Sequence, residues 1–92
     1  MVLTPKKRCT FVCDAPHAKT AAIAGSFNDW STGKHMMERR KKDGCFACGI
    51  SLKPGRYEYK FVLDGTEWIT DPKAKECCPD GKGGMNCVLN VK

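Results

Sequence analysis

The sequence predicts an all-β fold, either a small sandwich or a barrel. Three observations support this prediction: short runs of alternating apolar residues recur along the chain, turn-forming residues separate them, and no segment shows a persuasive 3.6-residue period. Alternation with a period of two is typical of strands that have one packed face and one face open to solvent or a ligand. Short strands at regular spacing favour a sandwich or a barrel. We therefore expect little or no helix.

The clearest predicted strand covers residues 56–63, between the turn signals Pro54-Gly55 and Asp64-Gly65. One face of this strand is aromatic or apolar and carries Tyr57, Tyr59, Phe61 and Leu63. After the second turn, Trp68-Ile69 begins the return strand of a hairpin. Further strands are predicted at residues 8–13, 20–25, 45–52 and 86–91. The stretches 26–34 and 71–85 are predicted to be loops.

The length and the hydropathy pattern restrict the class of protein. The chain has 92 residues, which we interpret as a single domain over residues 1–92. No apolar run approaches the ~20 residues of a membrane span, so we expect no membrane partner. The basic residues Lys6, Lys7 and Arg8 are not followed by the apolar stretch of a signal peptide. We therefore expect a cytoplasmic location.

Two tryptophans are the most informative side chains, because both lie at predicted loop or turn positions. Trp30 ends the segment 25–30, and Trp68 lies just past the Asp64-Gly65 turn. Such a residue can cap one end of the core, or it can offer a flat apolar plate to a ligand. The C–H face of a pyranose packs well on an indole, whose π face carries partial negative charge. Two such plates near strand ends favour a sugar platform.

The hydroxyl groups of a stacked sugar need polar partners, because a buried hydroxyl without a hydrogen bond costs free energy. Lys60 and Asn86 are suitable partners. Lys60 lies on the strand face opposite the tyrosine row, and Asn86 starts the last predicted strand after a glycine pair. A solvated surface lysine and an ordinary turn asparagine are the alternative interpretations.

Several ordered motifs resemble carbohydrate-binding module family 48. These are residues 22–30 (AIAGSFNDW), residues 53–65 (KPGRYEYKFVLDG), Trp68 with Asp71-Pro72, and Asn86 before residues 88–91. The family includes the glycogen-binding domain of the AMP-activated protein kinase β-subunit and the N-terminal domains of glycogen branching and debranching enzymes. The resemblance covers nearly the whole chain, from about residue 10 to residue 92.

The resemblance implies an immunoglobulin-like antiparallel β-sandwich of the early-set type. It also implies a shallow site for an α-glucan such as glycogen, starch or a maltooligosaccharide. Residue by residue, that carbohydrate-binding site falls on Trp30, Lys60, Trp68 and Asn86. The module would work alone or target a partner to glycogen, the partner being a separate glycogen-metabolism enzyme or kinase subunit.

Two other functions stay open. A protein-interaction domain of the same fold would have lost its affinity for sugar. A weak polyanion binder would use the basic run 39–42, which a net charge of +6 permits. The same run precedes a predicted turn at Asp43-Gly44, where a solvated strand end or loop is the simpler interpretation. Too few aromatics flank it to favour single-stranded nucleic acid.

Catalysis lacks a constellation of residues, and we predict that the chain is not an enzyme and needs no cofactor. The sequence has no Ser-His-Asp order, no phosphate-cradling glycine loop and no H-E-x-x-H motif. A glycosidase needs two carboxylates across a cleft. Four aspartates could be considered for this role, but they are predicted to form turns and to accept hydrogen bonds from the local backbone: Asp29, Asp64, Asp71 and Asp80.

The chain has seven cysteines, an odd number that argues against a complete disulfide framework. Four of them are expected to be small core residues: Cys9, Cys13, Cys48 and Cys87. Cys77-Cys78 is predicted to lie in a loop. No metal site is predicted, although a zinc site that includes His17 or His35, or an adventitious disulfide, stays open as the alternative.

Overall fold

A computed structural model describes residues 5–92, so the first four residues of the predicted 1–92 domain lie outside it. The described chain has eight strands and no helix. The strands are β1 (Lys7–Cys13), β2 (Ala21–Gly25), β3 (Glu38–Arg39), β4 (Phe46–Leu52), β5 (Gly55–Leu63), β6 (Glu67–Ile69), β7 (Glu76–Pro79) and β8 (Met85–Val91). It follows that residues 5–92 contain no helix long and apolar enough to cross a membrane.

Two antiparallel sheets form the layers of the fold. The smaller sheet has the order β1-β4-β3, and the larger has the order β2-β5-β8-β7 with β6 also paired to β5. The predicted all-β class and antiparallel sandwich are confirmed. The immunoglobulin-like arrangement stays a prediction.

The core lies between the sheets, and its centre is aromatic. The Phe11 ring from β1 meets the Tyr59 ring from β5 edge-on, with their centroids 5.1 Å apart. Phe61 and Ile23 are fully buried beside them. The expected role of four cysteines as core residues is confirmed, since two are buried and two are half-buried against the same cluster: Cys13, Cys87, Cys9 and Cys48.

The neighbours of β5 change along its length. On one edge, β2 pairs with its second half, from Tyr59 to Leu63. On the other edge, β8 pairs with residues as far as Tyr59, and β6 takes over from Phe61. Lys60 therefore lies where β8 gives way to β6. Because side chains alternate along a strand, Lys60 points away from the core face that carries Tyr59 and Phe61.

The structure corrects two placements. The predicted loop 71–85 contains strand β7, so Cys77 and Cys78 lie on a strand and not in a loop. The return strand predicted to begin at Trp68-Ile69 is confirmed as β6, which begins one residue earlier, at Glu67, and so places Trp68 on a strand and not at a turn position. Both strands are short and lack a run of β-branched residues. Their strand conformation comes from pairing with a neighbour, β7 with β8 and β6 with β5. The Asp64-Gly65 turn indicated the β5–β6 pairing, whereas no local pattern indicated the β7–β8 pairing.

Two residues of the basic run 39–42 make structural contacts. The Arg39 guanidinium lies 4.2 Å from the centroid of the Phe46 ring and donates to the carbonyl oxygens of Ala18 and Gly44. Arg40 pairs with Asp43 at the predicted turn, where Gly44 has a φ of 72°. Half of the run is therefore engaged within the protein.

Candidate functional site

An open groove lies on the outer face of the larger sheet. It has a volume of about 530 Å³. Its lining consists of Trp30, Glu58, Lys60, Trp68, Asp80, Lys82 and Asn86. The groove thus brings together all four residues singled out from the sequence, although they come from the loop after β2 and from three different strands.

A strained loop positions Trp30. Asp29 and Trp30 both have positive φ angles, 55° and 59°, which is uncommon for residues with a side chain and rare for one so bulky. Hydrogen bonds hold this conformation: the Trp30 amide donates to the Gly25 carbonyl oxygen at 2.9 Å. The backbone strain of about 1–2 kcal/mol per residue is offset by the contacts around it.

Asn28 is the central polar residue of that loop, and its side chain is only 4% exposed. Its oxygen accepts hydrogen bonds from the backbone amides of Gly25 and Ser31 at 3.0 and 3.2 Å. Its Nδ2 donates to the Ile23 carbonyl oxygen and to Nδ1 of His35, both at 2.9 Å. The loop is therefore fixed before any ligand arrives.

The Trp30 indole lies between an apolar cluster and the groove. It packs against a small apolar cluster on the outer face of the sheet, formed by Ala22, Ala24 and Val62, and it lines the groove. One side of the side chain therefore covers apolar atoms, as the core-capping interpretation expects, and the rest stays accessible from the groove.

Trp68 reaches the same face of the sheet from the neighbouring strand. It lies opposite Val62 in the β5–β6 register, so the two side chains share a face, and it is 43% exposed. The preceding turn has positive φ angles at Asp64 and Gly65, 52° and 75°, which fits the tight hairpin turn expected of Asp-Gly. The Asp64 carboxylate also accepts hydrogen bonds from the amides of Lys19 and Thr20.

Lys60 is held by an ion pair at the edge of the groove. Its Nζ donates to Oδ2 of Asp80 at 2.8 Å, while Oδ1 of Asp80 accepts from the amides of Lys82 and Gly84 at 2.7 and 3.0 Å. The Lys60 ammonium and these amides lower the pKa of Asp80 to about 2. The predicted role of Asp80 as a turn former is confirmed, and the pair with Lys60 is additional.

Asn86 belongs to a second polar pair and is only 7% exposed. Its Nδ2 donates to Oε1 of Glu58 at 3.0 Å, and Oε2 of Glu58 accepts from Arg56 at 2.8 Å. The thiol of Cys78 lies 3.2 Å from the same Oε1. The Asn86 amide, followed by Arg56 and Cys78, lowers the pKa of Glu58 to about 2. Glu58 is therefore a charged, oriented acceptor.

Sequence reasoning missed three lining residues: Glu58, Asp80 and Lys82. Glu58 had a usable signal, because it lies two positions before Lys60 and so shares its face of the strand. Asp80 and Lys82 had none, since they reach the groove through a hairpin between β7 and β8. That hairpin depends on the strand pairing that the local sequence did not indicate.

The charges that line the groove balance. Two carboxylates, Glu58 and Asp80, face two ammonium groups, Lys60 and Lys82. With pKa values of about 2, both carboxylates are ionised at neutral pH. They can accept hydrogen bonds but cannot act as the protonated general acid that glycoside hydrolysis requires. Within residues 5–92, no group of three or more potential metal ligands lies together.

Comparisons with known proteins identify relatives of the chain. The human 5'-AMP-activated protein kinase subunit beta-2 is 32% identical over 89 residues, covering 97% of this chain and 31% of the subunit. Protein FLOURY ENDOSPERM 6, chloroplastic, of Oryza sativa subsp. japonica is 38% identical over 65 residues, covering 71% of this chain and 12% of that protein. The 1,4-alpha-glucan branching enzyme GlgB of Bacillus subtilis (strain 168) is 38% identical over 68 residues, covering 71% of this chain and 11% of the enzyme.

The chain therefore spans only part of the length of each of these relatives. A family model described as the glycogen recognition site of AMP-activated protein kinase matches residues 10–92. That match covers nearly the whole chain and confirms the resemblance found in its motifs. The chain belongs to this glycogen-recognition family of carbohydrate-binding modules.

Proposed function

We propose that the chain is a non-catalytic module that binds an α-glucan, such as glycogen, starch or a maltooligosaccharide, in the groove on its larger sheet. Trp30 and Trp68 provide the apolar plates for the sugar rings, and Lys60 and Asn86 provide hydrogen bonds to the hydroxyl groups. The observation that carries the proposal is the presence of two accessible indoles beside two fixed polar pairs in one groove.

The polar pairs suit a ligand that is rich in hydroxyl groups. Lys60 uses one N–H group for Asp80, which leaves further donors for a sugar. Glu58 and Asp80 are held as acceptors by protein donors and lose little freedom on binding. The groove is open, so we expect a wet and weak site, with a Kd between micromolar and millimolar, equivalent to about −8 to −4 kcal/mol.

The charge balance of the groove argues for a neutral ligand. The chain has a net charge of +6, yet the four charged side chains of the groove cancel. The polyanion alternative rests on the basic run 39–42, where Arg39 and Arg40 already bind protein groups. Neither the groove nor the basic run 39–42 is as well suited to a polyanion as the groove is to a neutral sugar.

The biological setting is a further part of the proposal. The family model is described by recognition of glycogen and not by a reaction, which supports a binding role for this chain. A kinase subunit and a glucan-branching enzyme are among its relatives, and they support a role in bringing a partner protein to glucan. The cytoplasmic location expected from the sequence remains part of the proposal.

Calorimetric titration with maltoheptaose tests the proposal. We expect the wild-type chain to bind and the Trp30→Ala and Trp68→Ala variants each to lose affinity by at least about tenfold, because each removes one stacking plate. Met36→Ala is the matched control, since Met36 is also a large exposed apolar residue but lines a different concavity, beside Arg8 and Glu38.

Circular dichroism is the control that checks whether each variant keeps its β structure. If the folded tryptophan variants bind maltoheptaose as tightly as Met36→Ala does, the proposed site is wrong. If the wild-type chain does not bind maltoheptaose at all, the glucan-binding function is wrong for this chain, and the protein-interaction alternative gains support.

A further inference from the structure

Two cysteines that the glucan site does not use lie directly opposite each other. Cys77 on β7 pairs with Cys87 on β8 in the antiparallel register. Directly opposed residues in such a pair have Cα atoms about 4.5–5.5 Å apart and share one face of the sheet. This separation lies within the range of about 4.4–6.8 Å that disulfides span. We propose that Cys77 and Cys87 form a cross-strand disulfide under oxidising conditions.

The surroundings of the pair assign a different role to each thiol. Cys77 lies on the edge strand and is exposed, whereas Cys87 is completely buried in the core. The Asp71 amide donates to Sγ of Cys87 at 2.9 Å, which holds that sulfur in place. Burial raises the pKa of Cys87 to about 11, and Cys77 contributes to this increase, as expected for two adjacent thiols. Cys77 is therefore the thiol that meets an oxidant, and Cys87 is the resolving partner.

The chemistry requires an external disulfide as oxidant, such as glutathione disulfide. The Cys77 thiolate attacks one sulfur, the glutathione S–S bond breaks, and one glutathione leaves as a thiolate. The Cys87 thiol, which loses its proton as it reacts, then attacks the Cys77 sulfur of the mixed disulfide, forms the Cys77–Cys87 bond and expels the second glutathione. Both protein protons end on glutathione, so the protein is oxidised by two electrons and the external disulfide is reduced.

The bond would close the segment 77–87 into a covalent ring. That segment carries Asp80, Lys82 and Asn86, which all line the groove. Cys77 and Cys87 themselves lie on the core-facing side of the sheet, because their neighbours Cys78 and Asn86 contact Glu58 on the outer side. Oxidation therefore fixes one wall of the groove without placing the sulfur atoms in it.

Peptide mapping of the full chain after treatment with glutathione disulfide tests the proposal. Trypsin cleaves after Lys75 and Lys82, which separates Cys77 (peptide 76–82) from Cys87 (peptide 83–92). After the free thiols have been alkylated, we expect a product in which these two peptides are joined by a bond that dithiothreitol breaks. Cys78→Ser is the matched control, because Cys78 is adjacent in sequence but lies on the opposite face. The linked peptides should persist in Cys78→Ser and vanish in Cys77→Ser.

A melting curve provides a second readout. Closing a short native loop should raise the melting temperature of the oxidised wild-type chain by roughly 10 °C, while oxidised Cys77→Ser should not change. Failure of the wild-type chain to link the two peptides, or equal linkage in Cys77→Ser, would overturn the proposal. A linked product that melts below the reduced protein would also overturn it, because the native register would then not accommodate the bond.

Discussion

The two tryptophans of the groove are held in place by different parts of the fold. Trp30 belongs to a loop that is fixed by the buried side chain of Asn28, and its indole packs on a small apolar cluster. Trp68 lies on a three-residue strand, is 43% exposed, and has only a tight turn and one strand pairing behind it. Trp30 is thus held by packing against the sheet, whereas Trp68 is held by a hairpin.

The difference matters for how a sugar would bind. A side chain that packing already immobilises loses little entropy when a ligand covers it, whereas an exposed one loses more. On the proposed function, Trp30 would therefore set the position of the site, and Trp68 would adjust to the ligand. Disturbing the support of Trp30 should consequently affect folding and binding together, whereas disturbing Trp68 should affect mainly binding.

The largest effect is expected for Asn28→Ala. The substitution removes the acceptor of two backbone amides, of which that of Ser31 is only partly buried, and the buried donor to the Ile23 carbonyl oxygen. Buried groups without partners cost about 1–3 kcal/mol each, so we expect a loss of about 3 kcal/mol in the free energy of unfolding. Urea denaturation followed by tryptophan fluorescence measures this loss.

Asn90→Ala is the matched control for Asn28→Ala, because the Asn90 side chain is exposed and makes one hydrogen bond, to Glu76. It should change the free energy of unfolding by less than about 0.5 kcal/mol. Equal effects of the two substitutions would show that the loop around Trp30 is not the rigid support described above.

A smaller difference is expected between the two tryptophans themselves. Trp30→Ala removes the cover of Ala22, Ala24 and Val62 and should destabilise the fold by about 2 kcal/mol, below the 3–5 kcal/mol of a fully buried aromatic. Trp68→Ala should cost less than about 1 kcal/mol, because much of its side chain is already in water. Thermal unfolding of both variants checks the order. A larger loss for Trp68→Ala would reverse the comparison.

The contrast also shows what the sequence could reveal. The strand β5, its turn at Asp64-Gly65 and the alternation that puts Lys60 opposite the core all follow from local rules. The loop before Trp30 could be recognised only as a motif. The structure explains why the motif has glycine at position 25. A Cβ atom at Gly25 would lie 2.6 Å from the Glu58 carbonyl oxygen and 2.7 Å from the Phe27 ring.

The polar wall of the groove was the least predictable part. Asn86 was expected to act as a donor at the start of a strand, and the structure shows its Nδ2 already bound to Glu58. Asp80 was expected only to form a turn. Its contact with Lys60 joins residues that are distant in the sequence, through a hairpin whose first strand ends in Pro79. Such contacts depend on sheet order, which local patterns do not determine.

The support of Trp68 can be tested at Gly65. This residue has a φ of 75° in the turn before β6, and an L side chain there is strained. Gly65→Ala should reduce the free energy of unfolding by about 1 kcal/mol. Gly33→Ala is the control, because a side chain at Gly33 meets nothing within 4 Å and its backbone does not have a positive φ. Thermal unfolding that shows no difference between them would mean that the turn does not constrain the Trp68 hairpin.

The smallest expected effect is a dependence on acidic pH that arises in the polar wall beside the tryptophans. The hydrogen bonds of Asn28 with the backbone do not titrate in acid, whereas the polar wall beside the tryptophans depends on Glu58 and Asp80. Their pKa values are lowered to about 2, from ordinary values of 4.5 and 3.8. A lowered pKa in the folded state stabilises the protein above the ordinary value, and this stabilisation is lost as the pH falls toward 2.

We therefore expect the urea midpoint to be constant with respect to these two groups above pH 5 and to decline between about pH 4.5 and pH 2. The decline should be modest, because the pairs are partly accessible to solvent. Asp80→Asn should reduce its slope, since the neutral amide cannot titrate and holds Lys60 only weakly. Asp29→Asn, at an exposed position of the Trp30 loop, should leave the slope unchanged. An undiminished slope in Asp80→Asn would mean that the ion pair with Lys60 does not contribute to the stability of the groove, so that only the Trp30 loop would remain as a rigid part of the site.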